Sequence, residues 1–414
     1  MDAKLREEDL SLACLAKVLP MLDRLHDCGT QRDLAGNRRL FFDGYCKSVL
    51  LFLFNPMVNS LRMLMQAAEL PKVAKKLGIK RHSLGSFSES VQVFEPQLLK
   101  QVIAELAADA TKLQMTPELA RLKHLLTIVD GTLLATLPKL ACTLCHTRKN
   151  GKPHHAWRLH MHLPIDSPVP ELIVRASGSN RKECTEREQL RQRLLPGRCY
   201  VLDRGFHEAS LLNDIDRVQS SYVCRVRNNI KPQVLAELPV TAEMQAAGVV
   251  SDRRVKISNH DTDGSGGHPA SDHPMRMILI HAQPHPRRSG GSSDVMIVTN
   301  LMDEPAQRIG MIYRYRWTIE LFFRMLKQLL GCRHLLSHRG KGVDIQFYCA
   351  VIACLLIYLQ TGGKKPNKYM LFMVGMYLCD VASVDDLIKF LNRPDNTAVK
   401  KRAKDELWKK LGVI

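Results

Sequence analysis

The sequence lacks an apolar run long enough to span a bilayer. The longest, Phe347 to Leu359, falls short of the roughly 20 residues a spanning helix needs, so it reads as a core helix. Residues 1–9 are charged and lack the apolar core of a signal peptide. A cytoplasmic protein acting without a membrane is therefore expected. Paired cysteines are also scarce. Twelve cysteines are scattered singly apart from Cys142 and Cys145, which fits core thiols in a reducing compartment. Acid is in short supply: 60 Lys and Arg stand against 41 Asp and Glu, a formal net charge of +19. That excess points to a polyanion as partner, with nucleic acid first. From Gly131 to Ile165 there is no acidic residue at all, while Lys139, Arg148, Lys149, Lys152, Arg158 and five histidines occur there. Aromatics vanish elsewhere: between Tyr222 and Tyr313 there is no Phe, Trp or Tyr. No internal repeat is apparent.

What is present is a globular composition, 45 % hydrophobic, in a chain long enough for two or three domains. Residues 1–115 read as a helical domain. Within it, residues 70–90 have helix-turn-helix spacing. Gly78 can turn the chain, Val73, Leu77, Ile79, Leu84 and Phe87 fill the wedge, and a second helix carries Lys80, Arg81, His82, Ser83 and Ser86 outward. An ordinary helical hairpin would look similar. After Pro117 the pattern becomes α/β. Leu125 to Thr132 reads as a buried strand with Asp130 at its C-terminal end. Strands follow at Trp157 to Leu163 and Leu172 to Ala176, then a charged helix from Glu183 to Leu195. Arg198 to Phe206 repeats the first theme: apolar strand, Asp203, then a Gly205 turn. Residues 227–293, rich in Gly, Pro, Ser and His, read as a β-rich insertion that interrupts a catalytic domain made of 118–226 and 294–360. Residues 361–414 form a basic helical tail.

Cys142 and Cys145, with His146, His154, His155, His160 and His162 nearby, have a hint of zinc spacing. A second ligand pair at the usual finger spacing is missing, so structural zinc is not expected.

The stretch from Tyr313 to Lys327 has no proline or glycine and reads as one continuous helix. On a helical wheel Tyr313, Arg316, Glu320 and Lys327 fall within about 60° of one another, and apolar residues cover most of the remainder. Such a strip is either a surface salt-bridge ladder or one wall of a site. Two aspartates at strand ends and a glutamate on a mostly buried helix favour a site. Converging carboxylates repel one another unless cations lie between them, and hard divalent ions such as Mg²⁺ or Mn²⁺ would serve.

Tyr313, Arg316, Glu320 and Lys327 at this spacing match the Tyr-Arg-Glu-Lys signature of bacterial insertion-sequence transposases of the DDE class. Ile128 to Thr132 resembles their first aspartate motif, and Val201 to Phe206 their second. The resemblance covers roughly residues 40 to 360. It implies a ribonuclease-H-like catalytic domain with a β-rich insertion, preceded by an all-α domain. It also implies cleavage and strand transfer at transposon ends with two divalent ions, Mg²⁺ or Mn²⁺. The partner would be double-stranded DNA, both terminal inverted repeats and target, bound by a homodimer associated with the bacterial nucleoid. By position, Asp130, Asp203 and Glu320 are the metal ligands, and Tyr313, Arg316 and Lys327 contact terminal phosphates. Arg158 of the acid-free stretch, Arg204 next to the second aspartate, and Lys80, Arg81 and Ser83 of the helix-turn-helix are further candidates for DNA contact. The alternatives are a metal-dependent nuclease without strand transfer and a non-catalytic DNA-binding derivative. One departure stands out. Some relatives stack a flipped base on a tryptophan of the insertion, and here the insertion has none.

Overall fold

The computed structural model describes residues 13–28, 38–55, 58–109, 123–135, 144–147, 153–165, 169–176, 185–227, 232–257, 270–281, 294–329, 339–360 and 382–392, with a few single residues between them. Two compact units emerge. One comprises Met1–Thr111 with Gln328–Ile414, and the other is Lys112–Lys327.

The helical unit begins with α1 (Ala13–Asp23), α2 (Phe42–Phe54), α3 (Leu61–Ala67), α4 (Pro71–Leu77), α5 (Leu84–Ser90) and α6 (Leu99–Ala108). Helix α2 is buried along nearly its whole length. Its one lysine, Lys47, is buried too, and donates to Asp43 at 2.9 Å and Asp23 at 2.5 Å, so that charge enters the core with its partners. Tyr45 stacks on Phe87 with ring centroids 4.3 Å apart, tying α2 to α5.

Helix α4 ends at Gly78, whose φ of 66° is the left-handed conformation that closes helices. The next helix starts only at Leu84. Ser83 is its N-cap, its Oγ accepting from the Ser86 amide at 3.0 Å. Lys80, Arg81, His82 and Ser83 therefore lie in the extended connection and not on the second helix, which corrects the placement expected from sequence. Arg81 is exposed and already paired with Glu69.

The second unit is built on a large mixed sheet. Its elements are β1 (Leu125–Ala135), β2 (Leu144–Thr147), β3 (Pro153–Pro164), β4 (Leu172–Ala176), α7 (Glu186–Arg191), β5 (Arg198–Leu202), α8 (Ala209–Arg217), β6 (Ser221–Arg225), β7 (Gln233–Glu237), α9 (Ala242–Ala246), β8 (Val249–Lys256), β9 (Met275–His281), β10 (Asp294–Thr299), α10 (Ala306–Arg314) and α11 (Trp317–Leu329). The strand order is β2-β3-β1-β5-β6-β10-β9-β8-β7, with β4 also paired to β3. Strand β1 is antiparallel to β3 and parallel to β5, and β5 is parallel to β6. Strands β5 and β6 are buried almost throughout, as central parallel strands covered on both faces must be. Leu211, Leu212 and Ile215 of α8 close over Tyr200, Leu202, Tyr222 and Cys224 in one core.

Three features differ from the sequence reading. Strand β1 does not end at Asp130. It continues to Ala135, held by an unbroken antiparallel register with β3. The strands of the insertion, β7 to β9, extend the same sheet through β10. The stretch from Tyr313 to Lys327 is not one helix. It breaks at Tyr315–Arg316, where the Arg316 amide bonds to the Tyr313 carbonyl three residues back, and α11 begins at Trp317.

The last helices are α12 (Gly340–Gln360) and α13 (Val384–Asn392). Helix α12 packs against α2 and α6 inside the helical unit, whereas the sequence pattern grouped residues 294–360 with the catalytic region. It is apolar on all faces, which suits a helix enclosed by others. Gly340–Leu359 is long and apolar enough to cross a membrane by length and composition, longer than the expected run, but 89 % of it is buried within the protein.

Candidate active site

Asp130 and Asp203 are brought together by strand pairing. The parallel register of β1 and β5 ends at Ile128 opposite Val201. Each aspartate lies two residues further along its own strand, so the two leave the paired region side by side, on strands about 4.8 Å apart. Each carboxylate is fixed by a nearby glycine amide. The Asp130 carboxylate accepts from the Gly131 amide at 2.7 Å, and Asp203 accepts from the Gly205 amide at the same distance. Burial and the neighbouring Asp203 charge push the Asp130 carboxyl up to about 7, despite the Gly131 bond and the nearby Arg316 cation that favour ionisation.

Glu320 reaches this region through Arg316. The Arg316 guanidinium bonds the Glu320 carboxylate at 2.6 Å, and its charge also acts on Asp130. Its carbon lies 5.8 Å from the Tyr313 ring centroid and 5.9 Å from that of Trp317. Burial works against the charge on Arg316, yet Tyr313, Glu320 and Asp130 together hold its pKa above the ordinary value. Burial raises the Tyr313 phenol. Among the described residues, the Tyr313 hydroxyl and Arg316 Nε are buried with no hydrogen-bond partner of good geometry. Arg316 lies at the helix break, between Tyr313 on α10 and Glu320 on α11. Trp317 is 52 % exposed beside it.

The expected site residues therefore divide. Asp130, Asp203, Arg316, Glu320 and Tyr313 are linked. Among the described residues, no three His, Cys, Asp or Glu side chains are grouped as a metal cluster, and Glu320 is paired with Arg316. The side chains of Lys327 and Arg158 lie outside the described residues, as do Cys142 and the side chain of Cys145. Arg204 is exposed in the turn after β5. Lys80 and Arg81 are exposed and Ser83 is an N-cap, all in the other unit.

Sequence reasoning passed over the residues at the start of α7. Glu186 Oε2 is 2.6 Å from His160 Nδ1, and His160 Nε2 is 2.9 Å from His162 Nε2. Arg187 Nε donates to the Gly205 carbonyl at 2.8 Å and Nη1 to Glu208 at 2.9 Å. The two histidines lie in the acid-free stretch and Glu186 and Arg187 in the charged helix expected over 183–195, and neither signal links the two segments.

A model of the transposase DDE domain matches residues 121–356. The protein of Sinorhizobium fredii named as transposase y4zB is 24 % identical over 57 % of this chain, and the match spans 60 % of that relative. A Geobacillus stearothermophilus protein named as the transposase of insertion sequence element IS5377 is 23 % identical over 72 % of this chain and 73 % of its own. A solved piggyBac transposase, in a synaptic complex with hairpin DNA, covers 93 % of this chain and 82 % of its own at 13 % identity. The TM-score of that match is 0.45. The family match takes in both aspartates, the Arg316–Glu320 pair and most of the sheet, and the chain belongs to the DDE transposase family.

Proposed function

We propose that this protein cleaves DNA at the ends of a mobile element and joins the freed 3′-hydroxyls to target DNA. The observation that carries the reading is the Asp130–Asp203 pair at the end of the β1/β5 register, with Arg316 between Asp130 and Glu320. A ribonuclease-H-like core is supported by the order β4-β3-β1-β5-β6, in which the first three strands are antiparallel and β1, β5 and β6 run parallel.

The donor set fits a hard divalent cation, Mg²⁺ or Mn²⁺. Two partly buried carboxylates side by side are costly without one, as the raised Asp130 pKa reflects. Asp130 and Asp203 would hold it, and Glu320 would complete the set once Arg316 turns to another anion. Two such ions supply water activation and charge stabilisation at a phosphodiester. The chain's own residues do the rest. Arg316, with an unsatisfied Nε, and the Tyr313 hydroxyl offer donors to a terminal phosphate. Lys327 would add a second cation from further along α11. Arg204, Arg158 and the acid-free stretch beside the first aspartate would hold the flanking backbone. Lys80, Arg81 and Ser83 would contact DNA from the α4–α5 connection. The acting form would be a homodimer on double-stranded DNA in the bacterial cytoplasm.

The test uses Asp130→Ala, Asp203→Ala and Glu320→Ala in end-cleavage and strand-transfer assays with Mg²⁺. Each should abolish both reactions and leave DNA binding intact. A Glu320→Ala protein that cleaves at the wild-type rate would falsify the assignment. Cleavage without joining to a target plasmid would reduce the activity to that of a nuclease.

A further inference from the structure

Helix α7 begins beside both aspartate segments, the β1 strand at Asp130–Gly131 and the turn after Asp203. Its first two residues engage one segment each. Glu186 lies over Gly131, so closely that a Cβ on residue 131 would fall 1.9 Å from Glu186 Oε1. Arg187 donates to the carbonyl of Gly205 at 2.8 Å, in the turn that follows Asp203. The Glu186 charge also bears on Asp130.

Glu186 is braced from behind by a buried histidine pair. His160 and His162 face the same side of β3, opposite Gly131 and Val129 in the register with β1. His160 is fully buried and His162 is 4 % exposed. His160 Nδ1–H donates to Glu186 Oε2, and one proton bridges His160 Nε2 and His162 Nε2. Burial keeps His162 neutral. A glutamate that only started a helix would need no such support. The Thr185 hydroxyl already caps α7 by accepting from the Glu188 amide at 3.2 Å.

We propose that Glu186, held by His160 and His162, is a positioning residue for Asp130: it fixes the Asp130–Gly131 backbone and adds negative charge that strengthens the cation affinity of the aspartate pair. This inference rests on the metal-binding reading of Asp130 above. It assigns Glu186 no direct bond to metal or DNA. It also accounts for glycine at position 131, where the backbone is an ordinary strand and the constraint is the carboxylate above it.

The experiment titrates Mn²⁺ into the purified full-length protein without DNA, followed by the loss of the free Mn²⁺ electron paramagnetic resonance signal. Melting temperature and Mg²⁺-dependent end cleavage are measured alongside. Glu186→Gln keeps the shape and removes the charge. It should weaken Mn²⁺ binding about 10-fold or more, as loss of a group behind a metal ligand does. The Mg²⁺ needed for half-maximal cleavage should rise to match, with little change in melting temperature. Gly131→Ala approaches from the backbone side. Its methyl displaces the flexible end of Glu186, so the variant should fold and show a similar loss. The double variant should be no worse than either single one, because both break the same contact. Asp130→Ala separates the two readings. If it binds Mn²⁺ like the wild type, the metal-site reading itself fails. If it loses Mn²⁺ while Glu186→Gln and Gly131→Ala keep wild-type affinity, the metal site stands and the positioning role is overturned. A Glu186→Gln protein that cannot fold, with a Gly131→Ala protein of normal affinity, makes the chain from Glu186 to His162 purely structural and also overturns it.

Discussion

Two arginine–carboxylate pairs in the sheet unit show the difference between a finished contact and an unfinished one. Arg276 on β9 binds Asp252 on β8 with side-chain exposures of 6 % and 1 %. Nε donates to Asp252 at 2.7 Å, and Nη1 reaches the carbonyls of Leu301, Met302 and Glu304 ahead of α10. Its donors are spent, which is what a buried charge requires. Arg316 and Glu320 are 12 % and 31 % exposed, and Arg316 Nε has no partner among the described residues. The first pair locks strands to a loop. The second leaves one buried donor unused near Asp130.

The contrast can be broken from either side. The largest effect on stability is expected from Asp252→Ala, which strands a buried guanidinium. It should cost about 3–5 kcal/mol in denaturant unfolding, with end cleavage per folded molecule retained. Arg316→Ala should do the reverse. The loss of stability should be smaller than for Asp252→Ala, because Glu320, 31 % exposed, can regain water when its partner goes. Cleavage at saturating DNA should fall about 100- to 1,000-fold if Arg316 stabilises charge at the phosphate. Equal losses of stability in the two variants would erase the distinction.

A smaller effect concerns pH in metal-free protein. The folded-state pKa of Asp130, about 7, lies above its ordinary value of 3.8. The folded state therefore binds more protons between those values, and stability falls as pH rises through that window. Asp130→Asn removes the titration. Its melting temperature should exceed that of the wild type at pH 8, and the gap should narrow at pH 5. The smallest effect on stability belongs to Arg81→Ala. Both partners of that pair are exposed, so the loss should stay within about 1 kcal/mol. End-DNA affinity should nonetheless drop if Arg81 contacts DNA, and unchanged affinity across a salt titration would remove that connection from the interface.

The local structure around the two aspartates is legible in the sequence because its signals are strong. An apolar run before Asp203 and a glycine after it gave a buried strand and a turn, and both are present. Asp130 was placed beside a strand end for the same reason. There tertiary pairing overrode composition, because β3 offers a partner for every residue through Ala135. The wheel through Tyr313 and Glu320 assumed a continuous helix. The tight turn at Tyr315–Arg316 leaves no mark in composition, since no proline or glycine is involved. Ser83 was legible as an N-cap but was read as a surface donor. Glu186 and the two histidines come from segments far apart in the chain. Only the cross-strand register, which no single stretch encodes, brings them to Gly131.

The position of α12 has a consequence for how the protein is made. The helices α1 to α6 and their central partner α12 are separated by roughly two hundred residues of sheet. At a ribosomal pace of about 5–20 residues per second, the first helices wait on the order of ten to forty seconds for the element that fills their centre. During that interval the apolar faces of α2 and α6 are uncovered, and the sheet unit is complete before they close. Truncation just before Gly340 should leave the sheet unit protected from proteolysis while the helices of the other unit aggregate.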